Sequence, residues 1–365
     1  MPRILFVASH RPDRSPAQRF RFEQYLGFLR ENGYDYQFSY LITEKDDRVF
    51  YSPGNLISKL SIFAKSYMRR LKDVMQAREY DIIFVQREAF MTGSYFFEKM
   101  FSRSKAKLVF DFDDAIWNHD VSEANKKFGW LKNPAKTGKI IGISDLVIAG
   151  NQYLADYANR FNNRVIIIPT TIDTDEYTPM PVKREEDERV VIGWSGSITT
   201  IRHFELAVPF LREIRKKYGD RVAIKVIGDG SYKNDELGIK GLPWKKEDEL
   251  KELCSFDIGI MPIPDDDWSK GKCGLKGLQY MALEIATVMS PVGVNSTIIN
   301  DGVNGFLASE TSEWVDKVSR LIDDHQLRKR LGKEARQTVI SHYSVKSQQT
   351  TYLKAFNQLL NIKSQ

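Results

Sequence analysis

Asp257-Ile258-Gly259-Ile260-Met261-Pro262-Ile263-Pro264 leads into Trp268-Ser269-Lys270-Gly271-Lys272-Cys273-Gly274-Leu275-Lys276-Gly277-Leu278-Gln279-Tyr280-Met281-Ala282, and the change of character between these runs decides the fold. An apolar run of strand length ends in a loop of Pro and Gly, and a helical pattern begins near Gly274. Strand, loop and helix in that order are the signature of a parallel sheet covered by helices. N–H groups are freed at a helix start, and Lys270, Lys272 and Lys276 crowd this one, so the segment favours an anion such as a diphosphate.

The same alternation extends in both directions. In the first half, strands are expected at 4–9, 36–41, 81–86, 108–112, 146–149 and 165–168. Phe22, Leu26 and Leu29 fall at helical spacing and predict one helix over about 18–32. In the second half, strands are expected at 190–194, 222–227, 258–262, 287–290 and 305–307. Between the halves, Pro179-Met180-Pro181 runs into the charged stretch 183–189, which reads as a linker. The expected organisation is a Rossmann-like domain over 1–178, a second over 179–345, and an amphipathic helix from Lys346 to Leu360 capped by Ser344. This α/β arrangement places the active site in a cleft between the domains.

Several of these stretches resemble glycosyltransferase family 4, a group of retaining GT-B enzymes. They are Ile192-Gly193-Trp194-Ser195-Gly196-Ser197, Val226-Ile227-Gly228-Asp229-Gly230, the 257–282 block, 290–295 and 301–307, with 110–117 and 150–154 in the first half. The resemblance implies two Rossmann-like domains, a nucleotide diphosphate sugar of UDP or GDP type held by the second, an acceptor held by the first, and a last helix crossing back to the first domain. It also places two glutamates on either side of Gly274, one at the donor sugar and one at the ribose. Here those positions are Gly271 and Gln279, which matches a subgroup carrying Gly-Lys-Cys-Gly and Gln-Tyr-Met-Ala. Gln279 can still hydrogen-bond a ribose. Glu284 stands where the family has a helix-ending glycine.

The donor residues expected on these grounds are Gly196, Ser197, Gly228, Gly230, Trp244, Lys272, Cys273, Gly274, Lys276 and Gln279. Ser197 can reach a phosphate, although a tight strand-to-helix turn explains Gly196 and Ser197 equally well. Trp244 suits base stacking or a core position. Lys276, with Lys272, is the candidate for stabilising the departing phosphate. On the first domain, Asp111-Phe112-Asp113-Asp114 ends a strand. Asp113 or Asp114 is expected to orient the acceptor hydroxyl or take its proton, with helix capping as the structural alternative. The Asp-x-Asp spacing also fits Mg or Mn, but GT-B transferases generally need no such ion, and no metal or other cofactor is expected. Arg19, Arg21, Arg87 and Asn151 are the acceptor-side candidates, with solvation as the plain alternative for Arg19 and Arg21.

Composition narrows the partners. At 365 residues, with 42% hydrophobic and 28% charged residues, the chain suits two globular domains. A net charge of +6 and a pI near 9.0 favour an anionic partner. No nucleic-acid-binding pattern appears, so a nucleotide or an anionic membrane surface is preferred to nucleic acid. Two cysteines are too few for a disulfide framework. With no leader-like or membrane-spanning stretch, the expected location is cytoplasmic, with a peripheral place at the inner face of the cell membrane considered for one reason. Over 56–75, apolar residues interleave with Lys59, Lys65, Arg69, Arg70 and Lys72, which fits a helix lying on anionic lipid and equally one packed on its own domain. The expected activity is hexosyl transfer to a glycan or lipid-linked acceptor in cell-envelope assembly. A GT-B epimerase or phosphorylase is the rival enzyme, and a non-catalytic degenerate transferase the rival of another class.

Overall fold

The computed structural model describes residues 1–52, 54–118, 133–181 and 189–362. It divides into two units, Met1–Thr170 joined by the chain from Gln348 onward, and Thr171–Ser347.

The first unit is built on six parallel strands, β1 (Arg3–His10), β2 (Asp35–Ile42), β3 (Ile82–Gln86), β4 (Lys107–Phe112), β5 (Leu146–Ala149) and β6 (Val165–Ile167), in the order β2-β1-β3-β4-β5-β6. β3 and β5 are buried along their whole length, as strands covered by helices on both faces must be. Phe6 of β1 stacks on Phe22 at 4.9 Å and leans on Phe84 of β3 at 5.1 Å. The single helix expected over 18–32 is instead three short pieces, Pro16–Arg19, Glu23–Tyr25 and Leu26–Glu31. Between the first two pieces Arg21 turns inward to pair with Asp111 of β4 at 2.5 Å, and it donates to the Ile168 carbonyl. That buried pair overrides the helical spacing of the apolar residues around it. In the last helix, Val345–Leu359, Tyr352 and Phe356 are buried, and the Tyr352 hydroxyl donates to the Arg21 carbonyl. Ser344 caps that helix, accepting from the Ser347 N–H at 3.1 Å.

The second unit contains β7 (Val190–Ser195), β8 (Val222–Gly228), the hairpin of β9 (Lys233–Asn234) and β10 (Ile239–Lys240), then β11 (Leu242–Pro243), β12 (Ile258–Met261), β13 (Ala286–Met289) and β14 (Phe306–Leu307). Its six-stranded sheet runs β11-β8-β7-β12-β13-β14, parallel throughout. Counted from β7, this is the strand order of a dinucleotide-binding sheet, in which the winding reverses beside the first strand. The reversal lies between β7 and β12. Ligands of such sheets sit outside the carboxyl ends of the strands at that point, where the loops after Ser195 and Met261 lie. The core beneath is apolar and aromatic, with Phe210 stacked on Trp314 at 4.7 Å.

The division between the units falls at Thr170, earlier than the linker expected at 179–189, of which 182–188 lie outside the described residues. Tyr177 is fully buried in the second unit, and its hydroxyl donates to Glu249 at 2.7 Å. Ile172 exchanges backbone hydrogen bonds with Tyr343 and Val345. The segment 171–181 therefore packs as part of the second unit, although its prolines read as punctuation.

Candidate functional site

In the second unit the loop after β12 delivers the chain to the helix Leu275–Ala282. Gly274 starts that helix from a left-handed conformation (φ 70°), and a Cβ there would lie 2.4 Å from Ile298 Cδ1, so glycine is required on both counts. Gly274, at the cap position, has no side chain with which to cap this helix start. Its first turn holds no acid and carries Lys276, a placement that opposes the helix dipole. The Lys276 ammonium lies 5.2 Å from the centre of the Trp194 ring at the end of β7, and that of Lys272 lies 4.8 Å from the Trp268 ring. Cys273 is buried, its sulfur 3.8 Å from the Gly271 carbonyl, and serves as a compact loop residue.

His203 joins this group, although no motif of the sequence indicated it. It is 3% exposed. Burial, and then the positive charges of Lys276, Lys272 and Arg202, push its pKa down to about 4 against the weaker pull of Asp266. His203 Nδ1, Trp194 Nε1, Ser269 Oγ and Asn295 Oδ1 are all buried without a hydrogen-bond partner among the described residues. Asn295 Oδ1 lies 3.5 Å from where a Cβ on Gly274 would stand. Unsatisfied polar atoms are costly in a protein interior, and these four lie on the elements around this loop. Nothing in the motif singled out His203; only the fold brings the short helix after β7 towards the two lysines.

Other expected donor residues are employed differently. Gly228 has φ 129°, and a Cβ on it would lie 2.2 Å from the Gly196 carbonyl oxygen, so these two glycines let the ends of β7 and β8 touch. Gly230 rests on Pro243, with only 3.1 Å for a Cβ. Both glycines are required by close packing here. Ser197 caps the turn Ile198–Thr200, its hydroxyl 2.9 Å from that of Thr199. Gln279 and Trp244 both meet Glu249. Gln279 is buried and donates to the Tyr177 hydroxyl at 3.0 Å and to Glu249 at 3.4 Å, while Trp244 Nε1 donates to Glu249 at 2.9 Å. Three donors thus converge on the Glu249 carboxylate, which no motif had indicated.

In the first unit, the carboxyl ends of β3 and β4 bring Arg87, Asp113 and Asp114 together. Arg87 adopts a left-handed backbone (φ 61°), donates through Nε to Asp113 at 2.7 Å, and donates through its other arm to Asp114. Both aspartates are held by one guanidinium, and Asp111 by another, so every carboxylate of this run already faces a cation. Arg21, expected to hold an acceptor or be solvated, does neither, being 1% exposed and paired with Asp111. Arg19 is likewise buried rather than solvated, its guanidinium 4.9 Å from the Phe20 ring centre. Asn151 is the cap of the helix Gln152–Ala158 and accepts from the Leu154 N–H at 2.9 Å. At the end of β1, His10 is pushed down to about 4 by burial and by Arg14, Arg87 and Arg11, with Asp47 opposing.

Residues 189–324 match the family described as glycosyl transferases group 1. No curated protein sequence matches the chain. Among solved structures, the chain resembles sucrose-phosphate synthase from Thermosynechococcus elongatus with a TM-score of 0.72 at 13% identity, over 100% of both chains. It resembles HepE of Anabaena in complex with UDP and glucose with a TM-score of 0.68 at 15% identity, over 98% of this chain and 100% of that one. The catalytic domain of starch synthase IV from Arabidopsis thaliana, bound to ADP and acarbose, gives 0.68 at 12% identity over 99% of both. The two Rossmann-like units thus form a GT-B fold, and its second half carries a glycosyl transferase group 1 domain.

Proposed function

We propose that the protein is a retaining glycosyltransferase that takes its sugar from a nucleoside diphosphate donor of UDP or GDP type. The observation that carries this reading is the start of the helix Leu275–Ala282, which has no acid in its first turn and gathers Lys272, Lys276 and a buried His203 around it. Positive charge against a positive helix end is unfavourable alone and becomes favourable once an anion lies between them. Support also comes from HepE, whose solved complex contains UDP and glucose.

On this reading the bond from the anomeric carbon to the diphosphate oxygen breaks, and a bond from that carbon to the acceptor oxygen forms on the same face. The acceptor hydroxyl proton passes to the departing phosphate oxygen. Lys272, Lys276 and the helix N–H groups stabilise the charge that develops there. In the first unit, Arg87 fixes Asp113 and Asp114, and a carboxylate held by a guanidinium is a better orienter of an acceptor hydroxyl than a base. The same pairing leaves these carboxylates little capacity for a divalent cation, so the reaction is read as metal-independent. The acceptor is a glycan or lipid-linked sugar of cell-envelope assembly.

Calorimetry tests the donor site. Lys276→Ala removes a charge-assisted contact worth roughly 1.5–3 kcal/mol, so UDP or GDP should bind about tenfold or more weakly while uridine or guanosine is unaffected. An unchanged diphosphate affinity would remove Lys276 from the site, and equal weakening of diphosphate and nucleoside would indicate a disturbed fold. Product analysis with nucleotide sugars and a lipid extract then separates transfer from release of free sugar or isomerised nucleotide.

A further inference from the structure

The helix Leu56–Gln76 is amphipathic in the reverse sense for a soluble domain. Its buried residues include Ser66, Arg70 and Asp73, whereas Ile57, Leu60, Met68 and Met75 are 87%, 71%, 63% and 74% exposed. At 100° per residue the inward stripe is centred on Ile62, Ser66, Arg70, Asp73 and Ala77. The opposite stripe is Ile57, Leu60, Ala64, Met68, Leu71 and Met75. Both faces are fixed by the inward one. Arg70, fully buried, donates to Asp73 and the Ser39 hydroxyl at 2.7 Å, and to the Ala8 and Ala89 carbonyls at 2.6 Å. Rolling the helix to bury its apolar stripe would strip a guanidinium and a carboxylate of these partners, at a cost exceeding the gain from apolar burial.

We infer that this outward face docks in the plane of an anionic lipid bilayer. Along about 31 Å of helix, the apolar stripe is flanked by exposed Lys65 and Lys72, whose long stems let an ammonium reach lipid phosphates while the helix axis lies at the headgroup boundary. The sole acid in the helix is Asp73, held underneath by Arg70, so nothing exposed on the helix opposes a negative surface. Phe63, Tyr67 and Phe96, 38%, 39% and 45% exposed, rim the stripe with the ring types that settle at headgroup level. A second copy is the less suitable occupant, because a two-fold contact sets this patch against itself and faces lysine with lysine. Among the described residues no helix is long and apolar enough to cross a membrane, so surface docking is the mode open to this helix.

Flotation with lipid vesicles tests the inference without donor or acceptor, and so independently of sugar transfer. The protein should float with vesicles of phosphatidylcholine and phosphatidylglycerol at low salt, and far less with phosphatidylcholine alone. Ile57→Ser with Met68→Ser should lower partitioning about tenfold or more, and Lys65→Glu with Lys72→Glu about twentyfold on the anionic vesicles. All four positions are exposed, so an unchanged melting temperature certifies that each variant is folded. Failure of the wild-type protein to float with the anionic vesicles overturns the inference. So does a wild-type dimer by light scattering that Ile57→Ser with Met68→Ser converts to monomer.

Discussion

The carboxyl ends of the two sheets present their charges differently. In the first unit five cations are paired with anions: Arg21 with Asp111, Arg87 with Asp113 and Asp114, Arg11 and Arg14 with Asp47, Lys136 with Glu88. In the second, Lys272, Lys276 and a helix start stand together around a histidine held neutral. Balanced charge positions side chains. The second unit instead gathers lysines beside a helix start with no acid in its first turn, an arrangement that an added anion would favour.

The contrast breaks most visibly if one cation is removed from each unit. Arg21→Met should destabilise the first unit by about 3–5 kcal/mol, because Asp111, whose pKa burial raises and Arg21 opposes, is left buried without a partner. Lys276→Met should leave the second unit within about 1 kcal/mol of wild type, or stabilise it, since it relieves repulsion at the helix start. Denaturant titration of both variants decides the point. Equal losses would mean that the lysines are structural and that the two sheet ends do not differ as described.

Acid is the next probe. The folded pKa of His203, about 4, lies below the usual value of 6.5, so the unfolded chain binds more protons between these values. Stability should therefore fall as pH drops from about 6.5 to about 4 and level off below, by at most roughly 3 kcal/mol. His10, lowered to about 4 as well, contributes over the same window, so His203→Gln should reduce that slope by about half. A bound nucleoside diphosphate should reduce it too, by bringing negative charge towards the imidazole. Thermal melts across this range check both, and a profile insensitive to the diphosphate would separate His203 from the anion site.

On the first unit, the double substitution Asp113→Asn with Asp114→Asn keeps shape and removes charge. Turnover should fall about a hundredfold or more, with nucleoside diphosphate affinity nearly unchanged. An unimpaired variant would show that the three side chains serve only to hold the ends of β3 and β4 together. Restoring activity with Mg or Mn after treatment with a chelator would instead recover the cation reading of Asp111 and Asp113.

How far these features could be read from the sequence depended on whether they were local. The strands were legible because parallel strands buried on both faces are continuous apolar runs, and β5 at Leu146–Ala149 coincides with its expected limits. β11 was not, since two residues ending in Pro243 carry no period. The Gly271–Gly274 loop is contiguous, and the helix start at Gly274 was legible from it. His203, Glu249 and Tyr177 were not, because what defines each is a partner far away in the chain: Tyr177 meets a carboxylate at position 249, and His203 feels Lys272 and Lys276. Arg21 misled for the same reason. Its helical spacing is local, and the aspartate that turns it inward comes from β4.

The smallest expected effect sharpens the comparison at the level of the backbone. Each unit holds a non-glycine residue in the left-handed region at the end of an element of its candidate site, Arg87 at φ 61° after β3 and Glu284 at φ 59° after the helix Leu275–Ala282. An L-residue there costs on the order of 1–2 kcal/mol relative to glycine. Arg87 offsets that cost through its two carboxylates. Glu284 ends the helix Leu275–Ala282, where the Ile285 N–H closes onto the Tyr280 carbonyl at 3.0 Å, and its exposed side chain has no hydrogen bond or ion pair among the described residues. Glu284→Gly should thus stabilise the second unit by about 1 kcal/mol, with diphosphate affinity unchanged, because glycine adopts the required conformation freely and only its greater freedom in the unfolded chain subtracts from the gain. Arg87→Gly, which relieves the same backbone conformation, should instead destabilise the first unit, since it leaves Asp113 and Asp114 side by side without their cation. Melting temperatures of the two variants should move in opposite directions; movement in the same direction would mean that the Arg87 guanidinium contributes no more to its unit than the Glu284 carboxylate does to the other.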